Sequence, residues 1–134
     1  ILGKYTASEL FSGTDKLSMA VQPDFEEFIM KYISKDTAPK YNVLFEGDRL
    51  FNKKSIDLVH SVMWLDVFIV ESVNTNKRHI DRNDTQSEKF IKGRVTKTNN
   101  IKNYLLDDCT ILINNDEEDI EKNYNIILNT LMGE

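Results

Sequence analysis

Cysteine is nearly missing from this sequence: Cys109 stands alone among 134 residues, so no intrachain disulfide can form and a reducing compartment is expected. It follows Asp107 and Asp108, no setting for a reactive thiolate, and reads as a packing residue. No apolar stretch approaches the roughly 20 residues needed to cross a bilayer. The start lacks the charged and apolar regions of a signal peptide. No membrane partner is therefore expected, and a soluble, cytoplasmic protein is. His60 and His79 are far apart and lack the Cys or acidic spacing of a zinc site. No nucleophile elbow for acyl transfer is present. Asn83-Asp84-Thr85 matches a glycosylation sequon, which without a secretory signal is a chance match. Repeats, low-complexity segments and linkers are missing too, so residues 1–134 are expected to form a single domain.

Excess positive charge is also lacking. Seventeen Lys and Arg against 22 Asp and Glu give a net charge of −5, which excludes a polycation that coats nucleic acid. The balance is uneven along the chain. Eight basic residues (Lys77, Arg78, Arg82, Lys89, Lys92, Arg94, Lys97, Lys102) face three acids between Lys77 and Lys102, a local +5 that leaves −10 for the remainder. A basic island in an acidic protein suits a localised anion such as a phosphate; a solvated helix face is the alternative.

What is present most distinctively is the run Asn42-Val43-Leu44-Phe45-Glu46-Gly47-Asp48-Arg49. Val43, Leu44 and Phe45 show no period-2 alternation, so they read as a strand buried on both faces, as in a parallel sheet covered by helices. Glu46, Asp48 and Arg49 would then stand at the carboxyl edge of that sheet, where open α/β sheets bind ligands. Gly47 would let the backbone turn between the charges. The plainer alternative is an acidic turn after a core strand.

Other elements follow from local pattern. Residues 6–16 are loop-like, and Gly13-Thr14-Asp15 either offers backbone amides to a substrate or starts a helix with Asp15 as cap. Pro23 followed by Asp24, Glu26 and Glu27 predicts a helix start, with Phe25, Phe28, Ile29, Tyr32 and Ile33 as its core face. Ser55–Val62 predicts a short helix, and 64–70 a strand rich in β-branched and aromatic residues. A short helix is expected over 75–82 and a longer one from Thr85 to about Leu105. Its stripe Phe90, Arg94, Lys97, Ile101, Leu105 carries two cations where a structural helix would be apolar, so that face must meet an anion or water. Thr110–Asn114 predicts a third strand. Asp116-Glu117-Glu118-Asp119 opens a last helix whose inner face is Ile120, Tyr124, Ile127, Leu128 and Leu131.

Strands alternating with helices predict an α/β fold, a three-layer parallel sheet with helices on both faces. Right-handed crossovers would bring the strand ends at Glu46, Val70 and Asn114 to one edge, beside the basic stripe. Such a cluster suits phosphoryl transfer, which needs positioned cations, a carboxylate that orients Mg²⁺, and a group that orients the acceptor. Glu46 and Asp48 are the candidate metal-binding and catalytic carboxylates, joined by Arg49 and Arg94. Arg78, Arg82, Lys89 and Lys97 are the candidate phosphate ligands, because cations, guanidinium groups above all, pair with phosphate oxygens.

The strand ending Phe45-Glu46-Gly47-Asp48-Arg49, the later strand Leu65–Val70, the segment Arg78-His79-Ile80-Asp81-Arg82 and the segment Gln86–Arg94 resemble the later two thirds of a P-loop kinase. The likeness is closest to phage-encoded kinases of nucleotides or of modified bases in DNA. It implies that the acidic strand end is a Walker B region, that residues of about 75–105 form a lid, that Gly13-Thr14-Asp15 is a substrate-side loop, and that Mg²⁺ and ATP are cofactors. The host cytoplasm is the matching location. The family's cradle Gly-x-x-x-x-Gly-Lys-Ser/Thr occurs nowhere; Gly3-Lys4-Tyr5 has the wrong follower. A preceding segment of about 30 residues, the size of a βαβ unit, is expected to hold it. A cradle from another chain and a scaffold that has abandoned hydrolysis are the alternatives, and this chain alone is not expected to transfer phosphate. Two other classes remain in view: a non-catalytic binder of nucleotide or nucleic acid that sets its basic helix on phosphates, and a small phage factor that inhibits a host enzyme through its acidic surface.

Overall fold

The computed structural model describes residues 2–7, 13–33, 42–73 and 86–133. They fall into two compact units, Ile1–Leu65 and Asp66–Glu134, each taken by itself below.

In the first unit, helix α1 spans Gln22–Phe28 with Pro23 in its first turn, where a missing N–H costs nothing. A π-helical turn, Ile29–Ile33, continues it. Helix α2 spans Lys53–Val62 and is capped by Asn52, whose side chain accepts the Ser55 amide at 3.0 Å. The same Asn52 donates from Nδ2 to Gln22 Oε1 at 2.8 Å, so one cap ties the starts of the two helices together. Phe25, Ile29, Leu50 and Val59 form the buried centre, ringed by Leu17, Val21, Phe28, Phe45 and Leu58. Ile56 is buried as its spacing predicts, while His60 is exposed.

The second unit holds strand β1 (Phe68–Glu71), helix α3 (Glu88–Leu105), strand β2 (Thr110–Ile113) and helix α4 (Glu117–Met132). The strands pair in parallel, Phe68 with Thr110 through Glu71 with Ile113. Paired residues in a parallel ladder share a face, so Ile69, Glu71, Ile111 and Ile113 lie on one side and Val70 and Leu112 on the other. Lys102 of α3 reaches Glu71 Oε1 at 2.6 Å, which sets α3 over the first side. Thr110 and Asn114 donate their amides to Val67 and Glu71, so the Ile113 carbonyl points to the open edge of β2. Asn123 of α4, buried, donates to that carbonyl at 2.7 Å and satisfies it. Ser87 and Asp116 cap α3 and α4 through the amides of Phe90 and Asp119.

The three-layer parallel sheet expected from the sequence is not what forms: among the described residues there is one sheet of two short strands, accompanied by four α-helices. The error lies at residues 42–46. They run outside any ladder; Leu2 donates its amide to the Leu44 carbonyl at 2.8 Å, without a second backbone bond that would extend it into a strand pair among the described residues. Val43, Leu44 and Phe45 are only half-buried. Phe45 is apolar because it packs on Phe25 of α1, with ring centroids 5.0 Å apart and planes at 59°. A short apolar run carries no periodicity that separates a two-sided strand from a segment laid over a helix. The strand expected over 64–70 begins only at Phe68, with Trp64 exposed. In α4 the expected inner face is also displaced: Ile120, Tyr124 and Leu128 are exposed, Ile127 and Leu131 half-buried. The helix expected over 75–82 lies outside the described residues.

Candidate functional site: a carboxylate clamp and a cleft

Glu46, Asp48 and Arg49 belong to the first unit, and Lys89, Arg94 and Lys97 to the second. Arg78, Arg82 and the Asp15 side chain lie outside the described residues.

In the first unit, Lys4 and Gly13 exchange both backbone hydrogen bonds, at 2.9 and 2.8 Å, which lays the 13–16 turn against the segment of Leu2 to Tyr5. Gly13 has φ 75°, a conformation that glycine tolerates without strain. The turn delivers Thr14 to Glu46. Glu46 Oε1 accepts from the Thr14 amide at 3.3 Å and from the Tyr5 hydroxyl at 3.5 Å, while the fully buried Thr14 hydroxyl donates to the Glu46 carbonyl. Burial raises the Tyr5 pKa above its ordinary value, and the Glu46 charge and hydrogen bond add to the rise. The structure thus brings together three of the sequence-derived residues, Gly13, Thr14 and Glu46, with the Thr14 amide directed at a carboxylate of the same chain. Asp48 and Arg49 follow in the Gly47–Leu50 turn, half-buried, with charged atoms 3.9 Å apart.

Mg²⁺ and ATP were expected at these carboxylates. Glu46 Oε1 is engaged as the acceptor of two internal hydrogen bonds. No group of three or more His, Cys, Asp or Glu side chains is gathered among the described residues.

The second unit has a cleft of about 520 Å³ where the carboxyl ends of β1 and β2 emerge beside the first half of α3. Two walls form it. Val70, Glu71, Val73, Ile113 and Asn115 line the strand-end side; Ile91, Arg94, Val95, Thr98 and Asn99 line the helix side. Its volume lies within the range of small-molecule sites, and its mix of apolar walls with a few polar groups is the composition such sites share. Arg94 is half-buried, its guanidinium 5.7 Å from the Phe90 ring one turn earlier on α3. Glu71, in the strand-end wall, is paired with Lys102. Lys89 is exposed and Lys97 half-buried; neither is among the residues named in the lining.

The sequence reading had singled out Arg94 but not Glu71, Asn99 or Asn115. Their signal was available: Asn114-Asn115 directly follows the apolar strand Thr110–Ile113, the position at which polar residues meet ligands in α/β sheets. The chain matches no protein-family model, no curated protein and no solved structure. No described helix is long and apolar enough to cross a membrane.

Proposed function

We propose that this protein binds a mononucleotide in the second unit's cleft without turning it over, with Arg94 on the phosphate. The cleft itself carries this reading: an apolar-walled recess of about 520 Å³ at the carboxyl ends of two parallel strands, with a half-buried guanidinium in its helix wall. Val70, Ile91, Val95 and Ile113 supply apolar surface for a base and sugar, and amide and hydroxyl side chains supply hydrogen bonds. Arg94 is pre-positioned by its stack on Phe90, which lowers the entropy lost when it pairs with phosphate oxygens.

The test is calorimetric titration with AMP, IMP, CMP and UMP, each against its nucleoside. At least one nucleotide is expected to bind more tightly than its nucleoside. A charge-assisted hydrogen bond is worth about 1.5–3 kcal/mol, so Arg94→Ala should cost roughly ten- to a hundredfold and abolish the difference. Salt should weaken the nucleotide and not the nucleoside. With ATP and Mg²⁺ added to these samples, phosphoryl transfer would appear as turnover; binding alone is expected. Failure of every nucleotide to bind, or equal binding of nucleoside and nucleotide, would overturn the proposal.

A further inference from the structure

Asn115 and Glu71, which line the cleft on its strand-end side together with Ser72, are not interchangeable donors and acceptors, because each has one end already occupied. Asn115 accepts the Val73 amide on Oδ1 at 3.0 Å. A backbone N–H can only donate, so the bond fixes which way round the amide sits and leaves Nδ2, with its two N–H groups, as the free end. The backbone N–H of Asn115 is held in turn by Asp119 Oδ2 at 2.8 Å, so the residue is anchored at both main chain and side chain. Glu71 has the opposite polarity. Lys102 occupies Oε1 at 2.6 Å, which leaves Oε2 as an acceptor. Asn115 thus presents a pre-set donor and Glu71 an acceptor on the same side of the cleft.

We infer that Asn115 and Glu71 read the edge of the bound base, and that the cleft takes a lactam base, a 6-oxopurine or 4-oxopyrimidine, in preference to an amino base. This rests on the nucleotide reading above. A lactam edge pairs a carbonyl acceptor with a ring N–H donor; Asn115 Nδ2 meets the carbonyl and Glu71 Oε2 the ring N–H. Adenine and cytosine carry the reverse pattern, an amino donor beside a bare ring nitrogen. Against this wall they would set donor against donor and acceptor against acceptor. A site whose polar groups are left unpaired by the wrong ligand discriminates far better than an apolar pocket.

IMP and AMP differ in this edge, as do UMP and CMP. With the wild-type protein, IMP is expected to bind about tenfold or more tightly than AMP, and UMP than CMP, the scale set by one hydrogen bond exchanged for an unpaired group. Asn115→Asp keeps an oxygen for the Val73 amide and replaces the donor with an acceptor, so the IMP-to-AMP ratio should fall to about one or below. The ratio cancels the added charge, which weakens both nucleotides alike. Far-UV circular dichroism checks the variant's fold, and the wild-type ratio stands as a test in its own right. Equal wild-type affinity for IMP and AMP, or a preference for AMP, overturns the inference even where Arg94→Ala still weakens both. An unchanged ratio in a folded Asn115→Asp protein removes Asn115 from the reading. If neither nucleotide binds, the mononucleotide reading fails, and this inference with it.

Discussion

Gly13→Ala is the sharpest test of the clamp in the first unit. Gly13 sits at φ 75°, ψ −138°, a region that residues with a Cβ rarely adopt, and holding alanine near it costs about 1–3 kcal/mol. A Cβ there would also overlap Glu46 Oε1 and stand 3.2 Å from the Tyr5 hydroxyl. Glu46 can swing aside, but only by releasing the Thr14 amide and the Tyr5 hydroxyl, two hydrogen bonds of about 0.5–1.5 kcal/mol each. The Thr14 amide belongs to a residue with no exposed surface, so the release strands a buried donor. The terms sum to about 2–6 kcal/mol, and because the two bonds are long and partly exposed the lower part of that range, about 2–4 kcal/mol, is expected. For a unit of this size each kcal/mol moves Tm by about 4–8 °C, so a fall on the order of 10–20 °C is expected. Far-UV circular dichroism through thermal and urea unfolding reads it. Glu46→Ala in the Gly13→Ala background removes the overlap and leaves the backbone strain, so the double variant should lose less than the two single losses combined. A Gly13→Ala protein with wild-type Tm and urea midpoint would refute both the positive φ and the contact with Glu46.

Asn123→Leu keeps the side chain's bulk but leaves the Ile113 carbonyl unpaired at the open edge of β2; a loss of about 1–3 kcal/mol is expected, read from the urea midpoint. Glu26 has its pKa lowered, first by hydrogen bonding from Lys54 and then from Gln22. A depressed carboxyl stabilises the fold above its ordinary value of 4.5 and loses that contribution as pH falls through the lowered one. Glu26→Gln should therefore shrink the loss of urea midpoint between pH 7 and pH 3, and an unchanged loss would remove the Lys54 pair from the account.

The helices were legible because each carries its own signals. Pro23 and the acids after it marked α1, and Asp116 with three acids marked α4, since caps and first-turn charges act within a few residues. The two strands of the second unit do pair in parallel, ending at Glu71 and Ile113, but the sheet edge expected to join Glu46, Val70 and Asn114 does not form, because the strand ending at Glu46 is not a strand. What misled was Val43-Leu44-Phe45. Strand identity depends on a partner ladder, and a three-residue apolar run is equally suited to lying over Phe25. The same limit explains α4: Ile120, Tyr124 and Leu128 were expected on its inner face and are exposed, while Asn123 is buried and reaches the open edge of β2. Burial of a polar residue in place of Ile120 or Tyr124 follows from a long-range hydrogen bond that no periodicity encodes.

The basic stripe shows how a correct local reading can still need tertiary context. Arg94 is a cation where a core residue would be expected, and it stands over the Phe90 ring and lines the cleft. Its function then depends on the sign of the opposite wall. Glu71 is the acid there, and Lys102, two turns further along α3, pairs with it. As a half-exposed ion pair the contact is worth only about 0–1 kcal/mol of stability. On the proposed nucleotide reading, Lys102→Ala would leave Glu71 unpaired in a wall of the cleft that takes the phosphate, so nucleotide affinity should fall while nucleoside affinity holds, and equal changes in both would count against that reading.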